Sequence, residues 1–191
     1  SVYWNSATNG GGLYLSNSPN NTISGSVYGN SANSYGGGVR LDFSTNNMIG
    51  GSVYWNSAYN GGGLYLYYSP NNTISGSVYS NSANNRGGGL YLWNSTNNMI
   101  GGSVYSNSAT NGGGLYLYYS TNNTISGSVY SNSAQYGGGL YLNGSDYFTN
   151  TGWITNNTAT NGGGVYTNGS RHPNSYFGSG NVISNTPNDF N

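Results

Sequence analysis

Acid–base, metal and phosphate chemistry all need ionisable side chains, and this sequence of 191 residues has almost none. Its acids are Asp42, Asp146 and Asp189, its bases Arg40, Arg86 and Arg171, and its single histidine is His172. Glu, Lys and Cys are absent, so no redox compartment can be read from disulfides. Hydrolysis of a glycosidic bond takes two carboxylates within about 5–10 Å of each other. Asp42 and Asp146 lie four repeats apart in the pattern described below, about 19 Å at one strand spacing per repeat. A calcium-dependent lyase would need clustered acids as oxygen ligands, and these do not cluster. His172, in Ser170-Arg171-His172-Pro173, has no second His and no Cys with which to hold a metal. The expectation is a protein that is not an enzyme and has no catalytic site, cofactor or metal. Arg40 and Asp42, two apart on one strand face, read as an exposed pair worth about 0–1 kcal/mol.

Two kinds of surface chemistry remain. Asn-X-Ser/Thr sequons, possible glycosylation sites, begin at Asn20, Asn71, Asn94 and Asn122, and again at Asn143, Asn156 and Asn168. The second is aromatic contact, since the chain has 21 tyrosines. One row runs through Tyr3, Tyr28, Tyr54, Tyr79, Tyr105 and Tyr130 at a common point of the repeat. A second runs through Tyr14, Tyr65, Tyr91, Tyr116, Tyr141 and Tyr166, followed by Phe43, Tyr67, Tyr68, Trp93, Tyr118 and Tyr119. Both rows are expected to face solvent, and an exposed strip of that size implies packing against something, with neighbouring rods and glycans as candidates.

What positions these rows is a repeat. Gly triplets end at Gly12, Gly38, Gly63, Gly89, Gly114, Gly139 and Gly164, at intervals of 25 or 26 residues. An Ala keeps the same phase (Ala7, Ala32, Ala58, Ala83, Ala109, Ala134, Ala159), with an Asn two residues before it (Asn5, Asn30, Asn56, Asn81, Asn107, Asn132, Asn157). Apolar residues alternate at period two. In Ile23-Ser24-Gly25-Ser26-Val27-Tyr28, Ile23, Gly25 and Val27 face one way and Ser24, Ser26 and Tyr28 the other. The extra residue of the longer repeats sits between Ala and the glycines, in Asn33-Ser34-Tyr35 and Asn84-Asn85-Arg86, which marks that segment as a turn. Gly triplets and Asn-Asn steps supply the other turns. The reading is an all-β, right-handed parallel β-helix of about seven coils, each of 25–26 residues with three short strands.

Stacking at about 4.8 Å brings Val27, Val53, Val78, Val104 and Val129 into one inner row and Ile23, Ile49, Ile74, Ile100 and Ile125 into another. One coil cannot bury its own face, whereas seven bury each other's. The Asn row is expected to point inward as a hydrogen-bonded ladder. Residues 1–166 form the solenoid. Residues 167–191 read as an irregular segment that re-enters the repeat as a partial coil at Val182-Ile183-Ser184-Asn185. A two-coil unit is duplicated, since Ser18-Pro19-Asn20-Asn21-Thr22 recurs at Ser69–Thr73 and Trp4 at Trp55.

Charged residues make up 3% of the chain against roughly 25% in ordinary domains. With a formal charge of zero there is no field to attract nucleic acid or an anionic membrane, and little repulsion to oppose self-association. No stretch approaches the ~18 apolar residues of a membrane span. The chain starts at Ser1 with neither an initiator Met nor a signal peptide, so a processed chain or part of a longer one is expected.

The segment Val104-Tyr105-Ser106-Asn107-Ser108-Ala109, followed by Gly112-Gly113-Gly114-Leu115-Tyr116, resembles the paired short motifs of the polymorphic outer-membrane proteins of chlamydiae. In those an aromatic, two residues and Asn precede Gly-Gly-Ala-Ile. Here Val with an adjacent Tyr takes the aromatic place, and Gly-Leu or Gly-Val replaces Ala-Ile. The resemblance spans all seven repeats and implies a parallel β-helix displayed outside the cell, often adhesive. The first coil opens in phase at Val2, Tyr3 and Leu13, and Val165, Tyr166 and Val182 stand at the far end. Unpaired edges there would let copies stack head to tail. The expected function is therefore a structural subunit of an extracellular filament or sheath, with itself as partner. The alternative is the stalk or glycan-binding segment of a larger surface adhesin. Ice or polysaccharide binding on a flat face is weaker, for want of a regular Thr-X-Thr array.

Overall fold

The computed structural model describes residues 1–169, 176–178 and 181–191. Each turn of the chain makes four strand segments, as in the third coil: Val53–Tyr54, Ser57–Asn60, Leu64–Tyr67 and Thr73–Ile74. Every strand pairs in parallel with its equivalent in the next coil, Val53 on Val78 and Leu64 on Leu90. The four faces are sheets of eight, seven and six strands, and a fourth split into four and two strands. Single bridges through Ser108 and Asn111 carry the split sheet across the fifth coil.

The sequence reading of three strands per coil is one too few. The missing strand is the Ser-Ala segment, read there as a turn because it absorbs the extra residue. The structure accommodates that residue by a register shift between Ala58 and Asn60, where Asn60 pairs with both Tyr35 and Arg86. A β-bulge adds one residue without flipping those that follow. Ala58 thus stays inside at 6% exposure while Tyr59 stays outside at 51%.

The core follows the period-two pattern. The Val, Leu and Ile rows of the middle coils are fully buried, and one aliphatic cluster runs the length of the rod. Glycines allow the chain to close so tightly. Gly61 turns the chain at φ +65°, which costs glycine nothing, and a Cβ on Gly102 would collide with the Gly76 carbonyl oxygen of the coil beneath.

Polar ladders run beside the core. Each Asn of the first donates through Nδ2 to the Oδ1 of the next: Asn56 to Asn81, Asn81 to Asn107 and Asn107 to Asn132, all at 3.0 Å. The same Oδ1 also accepts the preceding Asn's backbone N–H, as Asn107 does from Asn81 at 3.0 Å. The inward ladder expected of Asn81, Asn107 and Asn132 is therefore present, each 1% exposed. In the second ladder Ser44, Ser69, Ser95 and Ser120 are fully buried, and each Oγ accepts a backbone N–H from the preceding coil.

The described residues after Gly169 pair with the seventh coil and its neighbours. Tyr176 bridges Thr149, Val182 pairs with Ile154, Thr186 bridges Thr158 and Phe190 bridges Val165, so an eighth layer touches all four sheets. Phe177 packs on Phe148 and Phe190 on Phe177, closing over the core. The Asn ladder continues through Asn157 to Asn185 and stops at Asp189, whose Oδ1 accepts from both Asn185 N and Nδ2. A carboxyl group has no N–H to pass on.

Candidate aromatic binding surface

The Leu-Tyr-Leu strand points its leucines inward and two aromatics, such as Tyr65 and Tyr67, outward on the same face. The outward row meets a second line of side chains, Tyr35, Asn60, Arg86 and Tyr136, across the glycine turn. Tyr65, Tyr91 and Tyr116 are thus covered on both sides and only 1–2% exposed. This corrects their assignment as exposed aromatic surface. They leave the aliphatic core but form a second, aromatic core beneath Tyr67, Trp93 and Tyr118. Burial pushes the hydroxyls of Tyr65 and Tyr91 far above the ordinary tyrosine range, and those of Tyr116 and Tyr141 in the same direction.

The other row stays outside. Tyr54, Tyr79 and Tyr105 stack nearly parallel, with ring centroids 4.8–4.9 Å apart and interplanar angles of 4–5°. They are half-buried by one another. Trp4 and Trp55 follow this row at 71% and 61% exposure, both at φ 55°. A positive φ is uncommon outside glycine.

The outer ridge of the second core is half open. Trp93, assigned as exposed, is half-buried between Tyr67 and Tyr118, with edge-on contacts at 5.4 and 5.5 Å. Phe43 and Tyr68, both at positive φ and about half exposed, extend it. A cleft of about 280 Å³ opens between this ridge and Tyr35, lined by Tyr35, Arg40, Tyr65, Tyr67 and Trp93.

Arg40 and Asp42 are not the exposed pair expected. Arg40 takes a place in the buried tyrosine row and Asp42 one in the ridge row. Their side chains are 14% and 7% exposed, joined Nε to Oδ1 at 2.8 Å and Nη2 to Oδ2 at 2.7 Å. Nη1 donates to Asn9 Oδ1, and the Tyr14 hydroxyl donates to Asp42 Oδ2 at 2.7 Å. That bond raises the Tyr14 pKa above its ordinary value. The guanidinium lies 5.0–5.4 Å from the ring centres of Tyr14, Tyr35 and Tyr65, a cation–π arrangement. Arg86 packs likewise over Tyr116 at 5.5 Å.

The acids stay apart: Asp42 is held by Arg40, Asp146 lies in a turn of the sixth coil, and Asp189 ends the Asn ladder. Among the described residues no three His, Cys, Asp or Glu gather where they could hold a metal. His172 and Arg171 lie outside the described residues. Among those residues, too, no helix is long and apolar enough to cross a membrane.

Of the sequon asparagines, Asn20, Asn71 and Asn122 are exposed at left-handed turn positions. Asn94 is half-buried, and Asn143 donates to the Tyr116 hydroxyl at 3.1 Å. At the proposed assembly ends, Val2 and Leu13 are half-buried and Tyr3 is 52% exposed. Val165 is fully buried beneath the eighth layer, Val182 is 8% exposed, and Tyr166 packs on Tyr141 at 4.8 Å. Phe177, Val182 and Phe190 therefore lie over the last apolar rows. The Phe190 bridge and the Asp189 stop were missed because neither follows the repeat. Phe177 and Phe190, two aromatics in a segment without Gly triplets, were the available signal.

No curated protein and no solved structure matches the chain significantly. The family model for the right-handed beta helix region matches residues 32–186, most of the solenoid. With seven parallel coils inside that span and its flanks, the chain belongs to the right-handed β-helix family.

Proposed function

We propose that this chain is a rigid, non-enzymatic segment of an extracellular surface protein, a stalk or adhesive element. The observation that carries the reading is the unbroken Asn ladder, which runs from Asn5 to Asp189 beside a continuous aliphatic core. Each coil is bonded to the next through main chain and side chain alike, so the element is suited to holding a fixed distance. The dispersal of the acids supports a role without catalysis. The likeness of its short motifs to those of the chlamydial surface proteins supports display outside the cell.

A filament or sheath subunit that stacks head to tail is the second reading. Such a contact joins two different ends, and it needs both open. Asp189 occupies the acceptor position that Asn5 of a following copy would fill, and Phe177 and Phe190 cover the apolar rows. Antibody raised against the purified rod tests the surface reading on intact cells of the source. Labelling before permeabilisation is expected; labelling only afterwards would overturn it.

A further inference from the structure

We propose that the cleft between Tyr35 and the Tyr67–Trp93 pair is a binding subsite for a neutral pyranose unit of a saccharide. The surface-protein reading explains where such a ligand would be met; the chemistry of the cleft stands apart from it. At about 280 Å³ the cleft lies at the small end of ligand sites, the size for a single unit of a chain rather than an enclosed drug-sized molecule. Tyr67 and Trp93 meet edge to face at 86°, and both are half-buried and line the cleft, so each ring keeps part of its surface toward it. Aromatic faces take the C–H side of a sugar ring, and the phenol and indole edges take its hydroxyls.

Charge decides against the competing ligands. Arg40 is the cleft's one cation, and its charge is already met by Asp42 in a two-point bond. A nucleic acid or other anion would find no unpaired cation in the lining. A purely apolar ligand would cover the guanidinium and phenol groups without bonding them, at a cost in desolvation. Arg40 uses three of its five N–H groups within the protein, leaving two for the hydroxyls of a neutral ligand.

The test titrates the purified chain with cellohexaose, mannohexaose and xylohexaose, and with hexagalacturonate as the anionic comparison, by calorimetry and tryptophan fluorescence. At least one neutral hexaose should bind in the millimolar range or tighter, with little dependence on salt. Trp93→Asn should weaken that binding at least about tenfold. Asn stands at the equivalent place in the sixth coil, as Asn143, so the fold accepts it there. If Trp93→Asn melts early, Tyr67→Asn carries the same expectation. Trp55→Ser, on another face and matching Ser80, should bind as the unaltered chain does. Absence of binding by all three neutral hexaoses, tighter binding of hexagalacturonate, or unchanged affinity in the folded Trp93 and Tyr67 variants would each overturn the proposal. Such failure leaves the surface reading untouched, because antibody labelling decides that separately.

Discussion

Replacing Asn107 with Leu removes one rung of the buried ladder, and the structure sets its cost. The side chain makes four hydrogen bonds: Nδ2 donates to the Val78 carbonyl and to Asn132 Oδ1, and Oδ1 accepts from Asn81 N and Asn81 Nδ2, all at 3.0 Å. Two groups lose their partners in the variant. The Asn81 backbone N–H has no other bond, and one Asn81 Nδ2 hydrogen is orphaned while the other still reaches Val53 O. Asn132 Oδ1 keeps the Asn107 backbone N–H. A buried donor left unsatisfied costs about 1–3 kcal/mol, so two cost about 2–6 kcal/mol. Leucine gains little in return, because its tetrahedral, two-methyl branch is bulkier than the planar amide that packs beside Gly89. At about 2–4 °C per kcal/mol for a chain of this size, the melting temperature should fall by roughly 10 °C. Repeat arrays open in parts, so the assay should pair thermal melting with amide hydrogen exchange. Loss of protection should centre on Asn81 and Asn107. An unchanged melt with unchanged exchange at Asn81 would refute the view that the ladder holds the coils together.

Other perturbations separate the parts of the account. Tyr79→Ala removes two stacks, on Tyr54 and Tyr105, and should cost about 1–3 kcal/mol in urea titrations, while Tyr79→Phe should cost almost nothing. Gly102→Ala should destabilise by more than about 3 kcal/mol, because its methyl meets the Gly76 carbonyl, and Gly101→Ala beside it should be near neutral. Asp42→Asn leaves Arg40 without its counter-charge in a partly buried site and should cost about 2–4 kcal/mol by chemical unfolding. Alkali should act through the second core. Tyr65, Tyr91, Tyr116 and Tyr141 have folded pKa values raised by burial, so their contribution is full below the ordinary value of about 10 and is lost as pH rises through the raised values. Their tyrosinate absorbance should therefore appear together with unfolding; smooth titration of all tyrosines in the folded chain at that ordinary value would contradict the burial.

The residues themselves explain what was legible in the sequence. The Val53 and Leu64 rows are identical or similar in every coil and the Ile74 row is kept until Asn150 replaces it in the sixth, so period and phase announce the inner rows, and the Asn ladder follows from the same regularity. Two features escaped because period two shows only which side of a strand a residue takes. Tyr65 is on the outer side, as read, yet buried, because Tyr67 on its own strand and the Tyr35–Arg86 line across the turn cover it. The Ser-Ala segment is a strand despite its extra residue, because a bulge at Asn60 restores the register. The Arg40–Asp42 pair fell out of view for a related reason: two apart on a strand gives a shared face, not its depth. The eighth layer lacks the Gly triplet and the Asn-X-Ala phase that mark the others, although Asn185 and Val182 hold the same rows.

The proposal of a rigid segment that does not polymerise is tested most directly by imaging the purified chain in negative stain over a rising concentration series, alongside sedimentation velocity. Eight layers at the strand spacing make an object about 38 Å long. The covered C-terminal layer predicts short rods, at most joined in pairs through the coil that carries Val2 and Leu13, with no growth in length as concentration rises. Filaments that lengthen with concentration would contradict that account and return head-to-tail assembly to first place.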